Sequence, residues 1–340
     1  MAVCFLKLCI CSFLIISSID WLPQAMSRVE DADDVSLREM YDQWMVQFGR
    51  EYKNTVEKEK RYKIFKANVE YINSVNEAGE KPYKLGINKF ADLKLEEFKL
   101  AAHIGYRSAI SKPSTTSSFN TVRDSAMPSS IDWRKSGALT PIRDSDCGAW
   151  TFPAVDTVEG LVKIKTGKSY ELSVQEIVDC DEGGNGCDGG YTDEAFEFIK
   201  HHGLTTETNY PSKQIQETCN TKKELEPVVK ISGYQHVPAD NETALMQVVA
   251  NQPVAVTVDA SSADFQFYSG GIFSGKCGID IDHGVTLVGY GTGNGGLKYW
   301  LIKNYWGTSW GEHGYMRMLR DVKAKEGMCG IAILATYPTM

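Results

Sequence analysis

The sequence predicts an α+β fold with two packed halves, preceded by a separate helical segment. Residues 150–200 contain helix-like stretches such as "VDTVEGLVKIKTG" and "YTDEAFEFIKHHG". From about residue 228 onward, short β-branched and aromatic runs alternate with glycine turns, as in "PVAVTVDA" and "YWLIKNYWG". Helices followed by such strands are typical of an α+β enzyme.

Composition indicates a globular protein, because 42% of the 340 residues are hydrophobic and 11% are aromatic. The formal net charge of -8 at pH 7 argues against a nucleic-acid-binding surface, which needs a basic patch. We therefore expect no nucleic acid partner.

The first 25 residues have the pattern of a secretory signal sequence. A lysine near the start precedes a short apolar stretch, and a small residue stands at Ala25. The alternative is a membrane anchor, but the apolar run is shorter than the roughly 18 residues that a spanning helix needs. We expect cleavage near Ala25 and no membrane association afterwards.

Residues 36–76 are charged and lack internal proline, and we expect them to be helical. Six of them recur at spacings of three and four, which places them on one helix face, namely Glu57, Arg61, Phe65, Asn68, Ile72 and Asn76. A plain surface helix would rarely carry two asparagines on such a stripe. The later stretch "RSAISKPSTTSSFNTVRDSAMPSS" has the composition of an exposed, cleavable linker.

Six cysteines remain after signal cleavage, and an even number in a secreted chain favours three disulfides. They are Cys147, Cys180, Cys187, Cys219, Cys277 and Cys329. The residues alone leave their pairing open, since six cysteines allow about 15 pairings.

These features, with "NGCDGG", "DHGVTLVGYG" and "YWLIKNYWGTSWGEHGY", resemble the papain-like cysteine proteases, and most closely the plant senescence-associated branch. The six-residue face resembles the family's E-R-F-N-I-N propeptide signature, and Gly86, Asn88, Phe90 and Asp92 resemble the G-x-N-x-F-x-D signature. The resemblance implies a papain-like two-lobed fold, with a mostly helical left lobe and an antiparallel β-barrel-like right lobe. An N-terminal helical inhibitor domain would precede these lobes.

The resemblance also implies the domain limits. We expect a signal peptide at 1–25, a propeptide at 26–125 and a peptidase domain at 126–340, with the mature chain beginning near Ala126 or Met127. The inhibitor domain would cover about 37–95, followed by the cleavable linker.

By resemblance, His283 is the general base and acid, and Asn304 holds its tautomer through the side-chain oxygen. Trp306 and Trp310 would shield that bond from water. Tyr305 stands where relatives have a small serine.

The nucleophile motif departs from the family pattern, C-G-[SA]-C-[WY]. After Pro141 the chain is two residues shorter than its relatives, and alignment on Trp150 places Ala149 at the nucleophile position. Cys147 then takes the place of the first, structural cysteine. The oxyanion glutamine has no counterpart, since Ser145 or Asp146 stands nearest, and an acidic residue there would disfavour a thiolate.

Pro153 replaces a serine one turn into the nucleophile helix. Its ring would clash with the carbonyl of Ala149 unless the helix starts later, and a later start would remove the helix N-terminus from the catalytic position.

The resemblance pairs Cys180 with Cys219 and Cys277 with Cys329, which leaves Cys147 for Cys187. We therefore expect a secreted zymogen-like homologue that has lost catalysis. The alternative is an active endopeptidase in which Cys147 is a shifted nucleophile acting with His283 and Asn304. A third interpretation is that the two-residue deletion is an error in the sequence or marks a decayed gene copy.

Carried over by motif position, Gly189 and Gly190 would bind a substrate backbone, while Tyr191, Thr257 and Leu334 would line an apolar pocket. Partners would be peptide or protein substrates or ligands, the chain's own propeptide and cystatin-type inhibitors. We expect a monomer in the secretory pathway, in a vacuole- or lysosome-like compartment or outside the cell. No cofactor and no metal site is predicted, and "NET" at Asn241 is a glycosylation acceptor.

Overall fold

A computed structural model describes residues 21–79, 81–102, 105–106, 127–145 and 147–340. The predicted signal sequence up to residue 20, linker residues 107–126 and Asp146 lie outside the described residues. The chain forms two compact units, one up to Lys66 and the other covering Ala67–Met340.

The described residues contain both helices and strands, and the first strand follows two long helices. The helices are α1 (Trp21–Gln47), α2 (Thr55–Glu77), α3 (Leu95–Ala102), α4 (Phe152–Thr166), α5 (Val174–Cys180), α6 (Thr192–His201), α7 (Thr221–Glu224), α8 (Glu242–Val249) and α9 (Ala263–Gln266). The strands are β1 (Tyr83–Leu85), β2 (Gly105–Tyr106), β3 (Ile131–Asp132), β4 (Gly189–Gly190), β5 (Gly233–His236), β6 (Val254–Val258), β7 (Tyr268–Phe273), β8 (His283–Thr292), β9 (Lys298–Lys303), β10 (Tyr315–Leu319) and β11 (Ala335–Thr339).

The segment 36–76 is divided into two helices rather than being continuous. The chain turns after Gln47 at Gly49, whose φ of 59° is in the left-handed region that glycine enters without steric cost. In the first unit, Trp44 packs on Tyr41 and Phe65, with ring centroids 5.8 and 5.3 Å away.

The second unit is built on one mostly antiparallel sheet. Its strand order is β1-β7-β10-β9-β8-β6-β11-β5, with β3 pairing to β8, and β10 runs parallel to β7. The run "VAVTV" of β6 is buried at every position, as expected for a strand covered on both faces.

Two apolar cores lie in this unit. One surrounds the sheet and includes Trp300 and Leu287, whereas the other lies between α4, α5 and α6 and includes Trp150 and Phe196. The prediction of an α+β fold with a mostly helical lobe and a strand-rich lobe is confirmed.

The two asparagines on the α2 stripe bind backbone groups. The Asn68 amide donates to the carbonyls of Ala91 and Leu93 at 2.8 and 3.0 Å. Asn76 donates to the Leu85 carbonyl at 2.9 Å and accepts from the Leu85 N–H at 3.0 Å. They tie α2 to the chain that follows it, which explains their place on a stripe facing the interior.

Candidate active site

The antiparallel pairing of β8 with β9 brings His283 and Asn304 together. Thr286 lies opposite Lys303 in this ladder. His283, the first residue of β8, therefore lies close to Asn304, the residue that follows β9. Nε2 of His283 lies 2.8 Å from Oδ1 of Asn304, and both side chains are buried. Because an amide oxygen only accepts, Nε2 carries the proton and donates it to Oδ1, and in this tautomer the lone pair of the ring lies on Nδ1.

Two further contacts orient this pair. Oδ1 of Asn304 also accepts from the Tyr305 N–H at 2.9 Å, which fixes the amide plane. The His283 ring stacks on Trp306 with centroids 4.6 Å apart, and Trp306 meets Trp310 edge-on at 5.0 Å. These indoles exclude water from the hydrogen bond and so strengthen it.

Asp282, immediately before His283, accepts from the Ala260 N–H at 2.9 Å. Burial raises the pKa of Asp282 to about 7, although the hydrogen bond from Ala260 acts in the opposite direction. This carboxyl therefore titrates near neutral pH next to the imidazole.

The chain around Cys147 forms a tight turn. The Thr151 N–H donates to the Gly148 carbonyl at 2.9 Å, and Gly148 has a φ of +74°. A Cβ at Gly148 would lie 2.4 Å from the Val178 side chain, so both space and conformation require glycine. Ala149 sits in this turn, partly buried against the core of the helical lobe.

Cys147 is joined to Cys187 by a disulfide with Cα atoms 4.4 Å apart. Ser145 caps the turn, since its hydroxyl donates to the Cys147 carbonyl at 3.1 Å and accepts from the Cys147 N–H at 3.3 Å. The Cys147 sulfur is thus held in a covalent bond on the helical lobe.

The other four cysteines of the described residues are also paired, as Cys180–Cys219 and Cys277–Cys329. Among the described residues, one group of potential metal ligands comes together, formed by Cys180, Cys219 and Glu224. Its two sulfurs are bonded to each other, so they are not thiolate donors.

Helix α4 begins at Phe152, three residues beyond Ala149, with Thr151 as its N-cap. Pro153 lies in the first turn of α4. A backbone N–H at this position would have no acceptor within the helix, so its absence costs nothing, and no earlier helical turn is there for the proline ring to clash with. The late start avoids the clash expected for a proline deeper in the helix.

Sequence reasoning gave no role to Asp156 and could not predict the effect of Tyr305, yet both are central to the packing beneath the site. The Tyr305 hydroxyl lies 2.6 Å from Oγ1 of Thr286, and its ring packs on Phe152 with centroids 4.8 Å apart. Burial, together with the charge of Asp156, raises the pKa of Tyr305 well above its usual value. The phenol therefore remains a neutral hydrogen-bonding group.

A buried cluster of four charges joins α4 to the strands. Lys303 lies 3.0 Å from Asp156, and Arg143 lies 2.9 Å from Glu159 and 3.5 Å from Asp156. Two carboxylates face two cations, which is the condition under which buried charges are tolerated. In the sequence, Asp156 and Glu159 stand among the apolar residues of α4. Acidic residues are rarely buried unless they are paired, so their position was a sequence signal for buried ion pairs.

Gly189 and Gly190 form β4, which pairs in parallel with β2, with Gly105 opposite Gly189 and Tyr106 opposite Gly190. A Cβ at Gly190 would lie 2.7 Å from the Trp150 ring, so a side chain does not fit there. The backbone of these two buried glycines is therefore paired with residues 105–106 of the same chain.

Thr257 and Leu334 are neighbours, since the Thr257 N–H donates to the Leu334 carbonyl at 3.2 Å. Thr257 also lies opposite Gly284 in the β6–β8 ladder, one residue from His283. Tyr191 follows Gly190 at the start of α6. Asp193 is two residues after Tyr191, and Thr336 is two residues after Leu334. The Thr336 hydroxyl donates to Oδ1 of Asp193 at 3.1 Å, which links α6 to β11.

Asn241 is exposed at the N-cap of α8, and its Oδ1 accepts from the Ala244 N–H at 2.9 Å. Its amide nitrogen takes no part in that cap. Among the described helices, none combines the length and the apolar character that a membrane span requires.

The fold and the His283–Asn304 pair define a class of two-lobed peptidase-like protein preceded by a helical inhibitor segment. Residues 127–339 match the papain family cysteine protease domain, and residues 41–98 match the cathepsin propeptide inhibitor domain. This chain belongs to the papain family of cysteine proteases.

Relatives resemble the chain over nearly its whole length. Senescence-specific cysteine protease SAG39 of Oryza sativa subsp. japonica is 46% identical over 338 residues, covering 98% of this chain and 96% of the relative. Senescence-specific cysteine protease SAG12 of Arabidopsis thaliana is 47% identical over 326 residues, covering 93% of each.

Solved structures agree in fold. The recombinant stem bromelain precursor has a TM-score of 0.83 at 44% identity, covering 90% of this chain and 99% of that one. The proform of the ragweed pollen allergen Amb a 11, a cysteine protease, has a TM-score of 0.83 at 38% identity, covering 89% and 94%.

Proposed function

We propose that this chain is a non-catalytic member of the papain family that keeps a peptide-binding cleft. The observation that carries the proposal is the covalent bond between Cys147 and Cys187, with Ala149 at the position aligned with the nucleophile. A thiol acts as nucleophile only as a free thiolate, and a disulfide sulfur has no such form. His283 then has no thiol to activate.

The start of α4 supports the same proposal. A helix N-terminus lowers the pKa of a thiol and stabilises developing negative charge close to it. Here the helix begins at Phe152 rather than at the aligned position, and the oxyanion glutamine has no counterpart. Loss of one oxyanion donor typically costs about 10²- to 10³-fold in rate.

Binding without cleavage is supported by the strand edge of Gly189 and Gly190, which pairs with Gly105 and Tyr106. Ligands of this edge would be extended peptides, including the chain's own propeptide and peptide segments of other proteins. Tyr191, Thr257 and Leu334 would supply the side-chain pocket beside it.

A second candidate function is thiol endopeptidase activity, with Cys147 as a shifted nucleophile. The intact His283–Asn304 bond of 2.8 Å favours it, as do the names of the relatives, which are cysteine proteases. It requires an open Cys147–Cys187 bond.

We further propose that the chain is made with a signal peptide at 1–25 and a propeptide at 26–125, and that the mature domain covers 126–340. It would reach a vacuole-like compartment or the cell exterior through the secretory pathway. The exposed Asn241 would carry a glycan, and cystatin-type inhibitors would be further partners.

The test is a thiol count on the secreted, non-reduced protein. The native protein is alkylated, its intact mass is measured, and the peptides that contain Cys147 and Cys187 are mapped. No alkylation and a linked 147–187 peptide are expected. The same protein, denatured and reduced, is the control and should take one label on each of the six cysteines.

An alkylated Cys147 together with hydrolysis of a peptide substrate would overturn the proposal in favour of the second candidate. The hydrolysis assay is run with and without a mild reductant, because the second candidate predicts that activity rises when the disulfide opens.

A further inference from the structure

The sequence contains two asparagines that are followed directly by glycine, in the pairs Asn185–Gly186 and Asn294–Gly295. In such a pair the backbone nitrogen of the glycine can attack the side-chain carbonyl carbon of the asparagine, because glycine has no Cβ to hinder the approach. An attack within one chain needs the two atoms to reach each other in the right orientation. The two pairs share the same chemistry, so their relative reactivity depends on how the fold holds each of them.

Asn294 is exposed in the turn that joins β8 to β9. Two hydrogen bonds hold this turn, one from the Gly293 N–H to the Leu297 carbonyl at 2.8 Å and one from the Gly296 N–H to the Gly293 carbonyl at 3.2 Å. Neither bond uses a backbone group of Asn294 or Gly295. The peptide group between these two residues can therefore rotate while both bonds stay in place.

The space around this turn is open. A Cβ placed on Gly295 or on Gly296 would meet no atom of the described residues within 4 Å. Gly295 has a φ of +74° and Gly296 has a φ of +80°, which glycine adopts without steric cost. The Asn294 side chain and the nitrogen that follows it can thus approach each other without displacing a neighbour.

The same dipeptide at Asn185 is held by three hydrogen bonds. The Asn185 N–H donates to the Gly189 carbonyl, and the Asn185 carbonyl accepts from the Asp188 N–H, both at 2.9 Å. The carbonyl of Gly186, a buried residue, accepts from Nε1 of Trp150 at 2.9 Å. Rotation of this peptide group into the attacking geometry would break these bonds.

We propose that Asn294 is a site of spontaneous deamidation, and that Asn185 is protected from the same reaction while the protein is folded. The Gly295 nitrogen forms a bond to Cγ of Asn294, and the bond from Cγ to Nδ2 breaks. The amide group leaves as ammonia, taking the proton of the Gly295 N–H. Water then opens the succinimide ring at either carbonyl carbon, which gives aspartate or isoaspartate. Water is the only other reactant.

The product changes the turn but not the candidate site. It adds one negative charge to a chain whose formal net charge is -8, and isoaspartate also lengthens the main chain by a methylene group. His283 lies at the other end of β8, roughly 30 Å from the turn along an extended strand. The modification therefore records the age of a molecule, and the inference does not depend on the state of Cys147.

The test uses the full chain with its disulfides intact, incubated at neutral pH and sampled over days. Each sample is reduced and digested, and the peptides that contain residues 185 and 294 are quantified by mass spectrometry as asparagine, aspartate and isoaspartate. We expect the product to form at least about 10-fold faster at Asn294 than at Asn185, because hydrogen bonds must open at the second site. The reduced protein unfolded in urea is the control, and unfolding should remove most of this difference.

Asn294→Gln is the matched variant, because it keeps the amide and the charge but its longer side chain would have to close a larger, less favourable ring. It should lose the product at residue 294 and leave the rate at Asn185 unchanged. Equal rates at the two sites in the folded wild type would overturn the inference. So would a folded protein in which neither site reacts although both react after unfolding.

Discussion

The rings of Phe152 and Tyr305 lie with their centroids 4.8 Å apart, so the first residue of α4 packs on the residue that follows Asn304. The start of the helix and the end of β9 are thus joined by one aromatic contact. The Tyr305 hydroxyl extends this contact to Thr286, and the buried charges of Asp156 and Lys303 lie beside it. The start of α4 is therefore part of a packed interior.

Replacing Tyr305 with the smaller serine of the family pattern should leave a cavity between α4 and β9. We expect Tyr305→Ser to lower the free energy of unfolding by roughly 3–5 kcal/mol, the range for loss of a buried aromatic side chain. Tyr305→Phe keeps the ring and removes the hydroxyl, so it should cost only about 1 kcal/mol. Urea unfolding of the two variants and the wild type checks this, and equal losses would contradict a packing role for the ring.

Restoring a cysteine at the aligned nucleophile position should restore a thiol without restoring an active enzyme. We expect Ala149→Cys to gain one alkylatable thiol in the native protein, since Ala149 is only partly buried. Under the proposed loss of catalysis, hydrolysis of a peptide substrate should stay at least about 100-fold below that of an active relative, because that proposal assigns no oxyanion donor to the site.

The matched control is Ala154→Cys on α4, which is fully buried and should react only after unfolding. Activity of Ala149→Cys equal to that of a relative would show that the short turn and the late helix start do not limit catalysis.

Stability should fall as the pH rises above about 4.5. Glu176 is buried in the helical lobe, and burial raises its pKa from 4.5 to about 7, against the hydrogen bond from the Thr205 N–H. A carboxyl with a raised folded-state pKa stabilises the fold fully below its unfolded pKa, and this stability is lost as the pH rises through 7. A difference of one pKa unit between the folded and unfolded states corresponds to about 1.4 kcal/mol, so the loss of stability from this group is on the order of 3 kcal/mol.

Glu176→Gln should remove most of that slope in urea unfolding measured between pH 4 and pH 8. Asp282, whose pKa is also raised to about 7, contributes a slope of the same sign and should remain. Glu171→Gln, on an exposed residue, controls for the change in net charge. A slope unchanged in Glu176→Gln would contradict the prediction.

Asn241 allows glycosylation and helix capping to be separated. Thr243→Ala destroys the acceptor tripeptide and leaves the 2.9 Å cap to Ala244 intact. It should lower the mass of the secreted protein by one glycan. Asn241→Ala should lose the glycan and also about 1 kcal/mol of stability, the typical value of an N-cap. Mass spectrometry and urea unfolding of both variants provide the measurement, and identical masses for wild type and Thr243→Ala would show that Asn241 is unmodified.

Much of the fold followed from the sequence because its signals are local. The spacing on α2 marked Asn68 and Asn76 as unusual, and both bind the backbone of the following chain. The family pattern likewise drew attention to His283 and Asn304, which lie 2.8 Å apart.

The features that sequence reasoning missed depend on contacts between distant parts of the chain. The sequence indicated only that Tyr305 stands where relatives have a serine. Its packing on Phe152 could not be predicted, because the start of the helix that contains Phe152 was itself unknown. Asp264 stands in a short helix with no motif of its own, and its two phenol partners come from α2 and β1. The break of the N-terminal helix at Gly49 was missed because a single glycine within a charged, proline-free stretch is a weak signal.

Strand β1 has a further consequence for the solution behaviour of the protein. It is the outermost strand of the large sheet and pairs with Tyr268, Gly270 and Gly271 of β7. Without β1, β7 would present a row of unpaired N–H and C=O groups, the kind of edge on which other chains add and aggregates grow. If β1 stays in place through the life of the protein, it would thus protect the protein against self-association, whether or not the cleft binds peptides.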